Sequence, residues 1–277
     1  MKNSDRAAPL LRRVSANPVL SHKDCPFPAT TVFNAGVAHY AGRYVMVFRN
    51  DYGRWGDSVF DGTNIGMATS VDGLTWRVHP EPVLDEARAR IGLRHLYPTR
   101  FGPEFIKRIY DPRITVIEGQ PWLCFAVDTA HGICGCVAKT DDFVRFEFVS
   151  MTTPDLRNMV LFPEKIGGEF VRLERPFPVY MRPMPEAFPI WLSRSPDLRY
   201  WGQNVPVLGP DEVPYVNNKI GPATPPVRTR AGWLTPIHAV WKDDDRRLHG
   251  WEARGWYKRY YAGLMLLDLN DPSRVVG

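Results

Sequence analysis

The chain has 277 residues, of which 44% are hydrophobic and 23% charged, with a formal net charge of +5. This composition is typical of a globular protein with a sizeable core and excludes a disordered chain. The basic residues are scattered and no apolar run reaches signal-peptide or membrane-spanning length, so we expect neither a nucleic acid nor a membrane partner, whereas small anionic ligands remain open.

The four cysteines are Cys25, Cys124, Cys134 and Cys136, and they show neither zinc-ligand spacing nor a CxxC motif. We therefore expect four buried free thiols, no metal site and a cytoplasmic protein.

One hairpin pattern recurs in chain order, and 26 prolines and 22 glycines punctuate it. The pattern is an apolar strand, a tight turn and a second apolar strand, at residues 37–50, 114–128, 177–193 and 225–240. A second strand pair with an Asp-containing turn follows each hairpin, at residues 69–84, 139–149, 193–208 and, more loosely, 266–276. Only residues 85–96 have a helical pattern, which Gly92 weakens.

Repeated four-stranded units at intervals of roughly 45 to 80 residues predict an all-β fold, a β-propeller, over one domain spanning 1–277. A β-sandwich fits less well, because it would not repeat the whole unit in order. The fourth unit has no strand after it to close the ring, although residues 15–20 offer an outer strand. We therefore expect a propeller whose final blade is missing, so that the chain is C-terminally truncated.

Asp111 lies in the segment 107–119, KRIYDPRITVIEG, at the start of an apolar strand. Pro112 is expected to hold Asp111 in extended backbone, since αR is disfavoured before proline. Innermost strands of a propeller start near the central channel, so side chains at those starts converge there. Asp111 is thus either a turn-capping residue or a fixed acid at the channel mouth.

The first unit offers further polar candidates. Asn34 stands at the start of its inner hairpin, and Arg49, Asn50 and Asp51 follow the apolar run VMVF. Charged residues are not needed there for packing, which favours a site, but a solvated strand end is the alternative.

The third and fourth units supply cations. The third opens with LRNMVLFPEKIGGEFVRLERPFP, which carries Arg157, Asn158, Lys165 and Arg175. His238 follows GWLTPI in the fourth, where a satisfied core histidine is the alternative.

One acid beside several cations favours phosphorolysis over hydrolysis. Inverting hydrolysis needs two carboxylates, one of them to activate water. Phosphate arrives as an anion and needs instead a group of Arg, Lys and His to hold it.

Five ordered motifs, from about residue 17 onward, resemble glycoside hydrolase family 130, the β-mannoside phosphorylases. They are FNAGVAHYAGRYVMVFRNDYG, DGTNIGMATSVDGLTW, YDPRIT, RNMVLFPEKIGGEFVRLERPF and GWLTPIHAV. The resemblance implies a five-bladed propeller, so this chain ends before a last blade that supplies a further acid to the family's sugar site.

The resemblance also implies roles for residues. It makes Asp111 the general acid, which passes its proton through the mannose 3-hydroxyl to the glycosidic oxygen. Phosphate-binding residues are Arg157, Lys165, Arg175 and His238. Arg49, Asn50 and Asp51 match the segment that contacts the mannose, and Tyr52, Trp55 and Asp57 would shape the acceptor side. Asn34, and Asn158 beside the phosphate-binding residues, are expected to bind substrate as well.

The RNDYG and GTNIG pair most resembles the subgroup that converts 4-O-β-D-mannosyl-D-glucose and phosphate to α-D-mannose 1-phosphate and glucose. The runner-up is a β-1,4-mannooligosaccharide phosphorylase. An inverting hydrolase on the same fold and a non-catalytic carbohydrate-binding propeller are further alternatives. We expect a hexosyltransferase-type enzyme with phosphate as cosubstrate and no cofactor. The acceptor sugar and a homo-oligomeric state stay open.

Overall fold

The computed structural model describes residues 14–56, 60–96, 106–177, 188–242 and 258–277. Within these ranges the chain folds into four four-stranded antiparallel sheets arranged as the blades of a β-propeller. In the first three sheets the strands are paired in chain order, as antiparallel strands that follow one another commonly are.

Blades one and two are simple meanders. Blade one consists of β1 (Thr31–Tyr40), β2 (Arg43–Trp55), β3 (Phe60–Ser70) and β4 (Arg77–Val78). Blade two consists of β5 (Ile106–Ile117), β6 (Gln120–Thr129), β7 (Gly132–Lys139) and β8 (Glu147–Met151). The helix predicted at residues 85–96 is present as α1 (Glu86–Leu96), which packs against β5 and β8.

Blade three is a meander and blade four an interrupted one. Blade three consists of β9 (Leu156–Leu161), β10 (Phe170–Pro176), β11 (Ile190–Ser195) and β12 (Gly202–Leu208). Blade four consists of β13 (Lys219–Pro222), β14 (Val227–Arg228), β15 (Trp233–Lys242) and β16 (Lys258–Leu267). Both β13 and β14 pair with the same edge of β15, so they form one broken inner strand.

The core lies between the blades. One apolar cluster joins blades one and two with α1, a second joins blades two and three, and a third joins blades three and four. Most positions along β6 are buried, because this strand is covered on both faces. Burial of both sheet faces explains why the hairpins read as continuous apolar runs rather than alternating patterns.

The repeated turn of the sequence is a repeated structure. In the first three blades a Ser or Thr hydroxyl accepts a backbone N–H three residues on, over 2.8 Å, as Ser70 does from Gly73. The Asp two residues after that hydroxyl accepts two further N–H groups, as Asp72 does from Leu74 and Thr75. These bonds satisfy the turn backbone, which is why the motif recurs where third and fourth strands meet.

Two expectations need correction, and a third lies mostly outside the described residues. The described residues form four blades and not five, since sixteen strands divide into four sheets. Most of the hairpin predicted at 177–193 lies outside the described residues, and β10 and β11, which flank that part, pair antiparallel. Blade three also contains the pair β9 and β10, whose turn has Gly167 and Gly168 at positive φ. Residues 15–20 form turns and bends and add no strand.

Of the four thiols expected to be free and buried, three are buried. All four cysteines are free; Cys124, Cys134 and Cys136 are buried, while Cys25 is only half-buried. Among the described residues, no helix has the length and apolar character needed to cross a membrane.

Candidate active site

Three polar residues occupy equivalent bulges on three inner strands. Asn34 on β1, Asp111 on β5 and Asn158 on β9 have φ of 49°, 55° and 57°. At each point the pairing to the next strand shifts, so that two residues of the inner strand oppose one of its neighbour. A bulge bends its strand and re-aims a side chain, and left-handed non-glycine residues concentrate at functional sites.

The backbone at Asp111 differs from the expected extended conformation. Its φ of 55° lies in the left-handed region, although Pro112 follows it. The bulge overrides the local preference of a residue before proline, since Asp and Asn tolerate this region better than other side chains do. The aspartate is therefore a bulge residue within β5 and not a residue of a connecting turn.

Gly36 brings blade one close to blade two. A Cβ atom at Gly36 would lie 2.8 Å from the backbone N of Ile114 and 2.9 Å from Cα of Arg113. Only a residue without a side chain permits this approach of β1 to β5. The approach allows Asn34 Nδ2 to donate a hydrogen bond of 2.8 Å to Asp111 Oδ1.

Arg49 joins Asp111 to a second carboxylate. Its Nε and Nη2 donate to the two oxygens of Asp51 over 2.8 and 2.7 Å, and its Nη1 donates to Asp111 Oδ1 over 3.2 Å. The guanidinium lies between the rings of Phe33 and Tyr110, with centroids at 4.6 and 4.8 Å. This bidentate and stacked geometry fixes Arg49 beside the acid.

Opposing effects set the protonation of Asp111, whose side chain is 14% exposed. Burial alone would raise its pKa. The charges of Arg113 and Arg49, the hydrogen bond from Asn34 and the charge of Arg157 outweigh burial and lower the pKa below its ordinary value. Without a ligand, Asp111 is therefore a carboxylate at neutral pH.

Asn50 lies inside the blade. Its side-chain amide donates to the Pro28 carbonyl over 2.9 Å and to Asn64 Oδ1 over 3.0 Å, and the residue is fully buried. The structure thus brings Asn34, Arg49 and Asp51 together around Asp111, whereas the contacts of Asn50 are those of a core residue.

A group of basic residues lies beside this acid. Arg157 of β9 stands opposite Arg175 of β10, and Arg175 Nη1 donates to His238 Nε2 on β15 over 3.0 Å. Lys219 on β13 completes the group, which we call the cation cluster: Arg157, Arg175, Lys219 and His238. Among the described residues, none of the three cations Arg157, Arg175 and Lys219 has a carboxylate partner within 4.0 Å.

The uncompensated charge shows in the titration of the cluster. Burial, and then the Arg157 charge, lowers the pKa of Arg175 to about 9. Burial, and then the Arg175 and Arg157 charges, lowers the pKa of Lys219 to about 7. These shifts are what like charges in a partly desolvated site produce, and a bound anion would relieve them.

His238 is a neutral member of the cluster. Burial, followed by the Arg175 charge, lowers the pKa of His238 to about 3. Arginine can only donate, so the Nε2 atom of His238 accepts and its proton is on Nδ1. The expectation that His238 supplies positive charge is therefore replaced by a role in orienting Arg175.

Three buried polar atoms in the cluster and at Asn158 lack hydrogen-bond partners in the described part of the chain. The buried Nε atoms of Arg157 and Arg175 and the buried Oδ1 of Asn158 have no hydrogen-bond partner among the described residues. Buried polar atoms are normally satisfied, so these three atoms mark a place for a polar ligand or water.

Lys165 is not brought to this cluster. It lies in the turn between β9 and β10, where its Nζ is 3.3 Å from Glu118 Oε1 and 4.6 Å from the Phe170 ring centroid. The lysine of the cluster is Lys219, which sequence reasoning missed. Lys219 begins the short strand segment KIGP. The Pro- and Thr-rich stretch that follows hides the strand pattern in the sequence.

The residues expected on the acceptor side are only partly described. Tyr52 packs on Gly62, where a Cβ atom would lie 2.3 Å from its ring, and Trp55 meets Phe60 edge-on. Asp57 lies outside the described residues. No group of three or more potential metal-ligating side chains exists in the described part of the chain.

Comparison with known proteins identifies relatives. A family model described as beta-1,4-mannooligosaccharide phosphorylase, glycoside hydrolase family 130, matches residues 2–277. The Ruminococcus albus protein named beta-1,4-mannooligosaccharide phosphorylase is 30% identical over 267 residues, which cover 95% of this chain and 71% of that protein. The 1,2-beta-oligomannan phosphorylase of a Thermoanaerobacter species is 26% identical over 276 residues, covering 96% and 79%.

Solved structures agree on the fold. The beta-1,2-mannobiose phosphorylase from Listeria innocua, in complex with beta-1,2-mannobiose, matches with a TM-score of 0.72 at 23% identity. The match covers 95% of this chain and 81% of that one.

Proposed function

Because the chain belongs to glycoside hydrolase family 130, we propose that it is an inverting phosphorylase that cleaves a β-mannosidic bond with inorganic phosphate. The observation that carries the proposal is the cation cluster: in the described part of the chain Arg157, Arg175 and Lys219 have no carboxylate within 4.0 Å, and their charges act on Asp111. A phosphate dianion has the charge and the acceptor oxygens that this cluster lacks.

The proposed reaction breaks one bond and forms one. A phosphate oxygen attacks the anomeric carbon of mannose from the face opposite the glycosidic oxygen, and the bond between that carbon and that oxygen breaks. The negative charge of the bound phosphate raises the pKa of Asp111, so that in the complex Asp111 takes up a proton from solvent. Asp111 then supplies that proton to the departing oxygen, through the mannose 3-hydroxyl as the family resemblance implies. The products are α-mannose 1-phosphate and the free acceptor sugar, with inversion at the anomeric carbon.

The cluster explains how phosphate would be positioned. The fork of Arg175 is held at Nη1 by His238, which leaves its Nε available, and Arg157 Nε is available as well. Bidentate guanidinium contacts orient a phosphate as well as bind it. An oriented nucleophile accounts for much of the rate gain of a two-substrate reaction.

The surroundings of Asp51 favour phosphorolysis over hydrolysis. An inverting hydrolase needs a second carboxylate free to deprotonate water. Asp51 shares Arg49 with Asp111, but its two oxygens are bonded by Arg49, Arg108 Nη2 is 3.7 Å away, and its side chain is 3% exposed. A carboxylate so occupied is a holder of arginine and not a base.

The substrate we propose first is 4-O-β-D-mannosyl-D-glucose, because the RNDYG and GTNIG motifs most resemble the subgroup that acts on it. A β-1,4-mannooligosaccharide is the second candidate, because the family model and the R. albus relative carry that name. Arg49 and Asn34 are proposed to contact the mannose unit, since both border Asp111.

A product assay over a panel of disaccharides tests this proposal. Mannosylglucose, β-1,4-mannobiose and β-1,2-mannobiose are incubated with the protein, with and without phosphate, and mannose 1-phosphate and free mannose are quantified. We expect mannose 1-phosphate only with phosphate, and most of it from mannosylglucose. Equal release of free mannose without phosphate would assign a hydrolase, and no turnover on any β-mannoside would reject the function.

A further inference from the structure

Arg113 forms hydrogen bonds to backbone carbonyls of three blades. Its Nε donates to the carbonyl of Ala223 in blade four, and its Nη1 donates to the carbonyl of Pro112 over 2.9 Å. The same Nη1 lies 3.4 Å from the carbonyl of Asn34, the bulge residue of blade one. One side chain thus connects the two bulges that carry Asn34 and Asp111 with blade four.

The charge of Arg113 has an unusual environment. The residue is buried, and no carboxylate oxygen among the described residues lies within 4.0 Å of its guanidinium. Its hydrogen-bond acceptors are neutral carbonyls, which do not offset a charge fully. Burying an unpaired charge is costly, so a nearby negative group must compensate it.

Asp111 is that negative group. Arg113 is the strongest of the charges that keep the Asp111 carboxylate ionised, ahead of Arg49 and Arg157. Other groups act on Asp111 from the neighbouring strands: Asn34 of β1, and at longer range Arg175, Lys219, His238 and Tyr260. Arg113 differs from them because its side chain is buried and its hydrogen bonds within the described part of the chain go to backbone carbonyls.

We propose that Arg113 is a positioning residue for Asp111, which fixes the bulges around the acid through backbone carbonyls and compensates its charge. The proposal rests on the proposed phosphorylase function, in which Asp111 is the acid. If Arg113 served only to connect the blades, its several N–H donors would matter and its positive charge would not. Variants that remove the N–H donors with or without the positive charge therefore test the proposal.

Arg113→Met removes both the guanidinium donors and the positive charge, and Arg113→Lys keeps the charge. Arg172→Met is a matched control, because Arg172 is equally buried but is paired with its own acid, Glu174. We expect Arg113→Met to lower kcat for phosphorolysis about 10- to 100-fold, as a misplaced catalytic group does, with little change in KM for phosphate. In the pH profile of kcat/KM, the alkaline limb of this variant is expected at higher pH, because the loss of a positive neighbour raises the pKa of Asp111.

Arg113→Lys is expected to keep the alkaline limb near that of the unsubstituted protein while kcat stays reduced. Arg172→Met leaves the limb in place. If Arg113→Met has an unshifted limb and the same loss of kcat as Arg172→Met, Arg113 is a structural tie only and the proposal is overturned. If the methionine variant does not fold, the lysine variant decides: a limb displaced despite the retained charge overturns it.

A second measurement does not depend on activity and so separates this proposal from the proposed function. The melting temperatures of Arg113→Met, Asp111→Asn and the double variant are compared at neutral pH. We expect Arg113→Met to lower the melting temperature less in the Asp111→Asn background, because no uncompensated carboxylate is left there. Additive changes, as expected for Arg172→Met with Asp111→Asn, would overturn the charge coupling even if the protein phosphorolyses mannosides.

Discussion

Asn34 and Asp111 stand at equivalent left-handed bulges of two neighbouring inner strands, and the Asn34 amide donates to the Asp111 carboxylate over 2.8 Å. The contact joins residues 77 positions apart in the sequence. It depends on the close approach of β1 to β5 at Gly36.

Gly36→Ala tests this dependence. The added methyl group would lie 2.8 Å from Ile114 N, a backbone atom that cannot rotate away, so the strands must separate. We expect a loss of roughly 1–3 kcal/mol in the free energy of unfolding, as overpacking costs, and a lower kcat. Urea unfolding and steady-state kinetics measure both.

Gly202→Ala is the control, because a Cβ atom there meets nothing within 4 Å. An unchanged kcat in Gly36→Ala would show that the Asn34 contact does not matter for turnover.

Arg175→Ala removes a charge from the cation cluster and leaves Asp111 in place. Hydrogen bonds to charged groups contribute about 1.5–3 kcal/mol, so KM for phosphate should rise about 10- to 100-fold, with a smaller effect on KM for the disaccharide. Arg228→Ala, which removes an exposed arginine paired with Glu164, serves as the comparison. A phosphate KM that stays within the range of the Arg228→Ala variant contradicts the assignment.

Lys219→Met should trade phosphate binding for stability. The pKa of Lys219 in the folded protein, about 7, is below its ordinary value of 10.5, so the unfolded chain binds more protons between these values. The lysine therefore costs stability fully below pH 7, and the cost fades as pH rises towards 10.5. At pH 7 we expect the melting temperature to rise by roughly 2–4 °C, for about 1 kcal/mol, and the phosphate KM to increase.

Lys165→Met is the matched lysine control, since Lys165 contacts Glu118 on the surface. It should leave the phosphate KM unchanged. If Lys165→Met weakens phosphate binding and Lys219→Met does not, the lysine of the phosphate site is the one that the family resemblance indicated.

Phosphate should shift the titration of Asp111. Burial raises the pKa of Asp111, while Arg113, Arg49, Asn34 and Arg157 together bring it below its ordinary value. A phosphate dianion in the cation cluster adds negative charge, which raises that pKa. A general acid works when protonated, so activity falls as pH rises through its pKa.

The alkaline limb of kcat, which reports the complex with phosphate, is therefore expected at higher pH than the limb of kcat/KM for phosphate. Both profiles come from initial rates at saturating disaccharide. Coincident or reversed limbs would mean that phosphate does not act on the acid.

The sequence alone predicted the blades well, because the turn motif is local. The Ser or Thr and the Asp of each turn bind backbone N–H groups within a few residues, as at Ser195 and Asp197, so the pattern is visible without any distant contact. In blade three the hairpin predicted at residues 177–193 lies mostly outside the described residues, and the pairing of β9 with β10 through Gly167 and Gly168 was not predicted.

The site was predicted in part for a related reason. Asn34, Asp111 and Asn158 stand at equivalent bulges, which the dipeptides N-A, D-P and N-M do not reveal. Only their polar character within apolar strands indicated a site. Lys219 was missed because β13 has only four residues before the chain leaves the sheet. The charges that act on Lys219, from Arg175, Arg157 and Asp111, stand on strands of other blades, and no local pattern contains that information.

The most direct test of the account is a comparison of the unsubstituted protein with Asp111→Asn by ³¹P NMR, with mannosylglucose and inorganic phosphate. We predict that the unsubstituted protein forms α-mannose 1-phosphate, and that Asp111→Asn, which still binds the disaccharide, forms it about 10²- to 10⁴-fold more slowly. Glu118→Gln, which alters an exposed carboxylate, should match the unsubstituted protein. Near-normal formation of mannose 1-phosphate by Asp111→Asn would contradict the account.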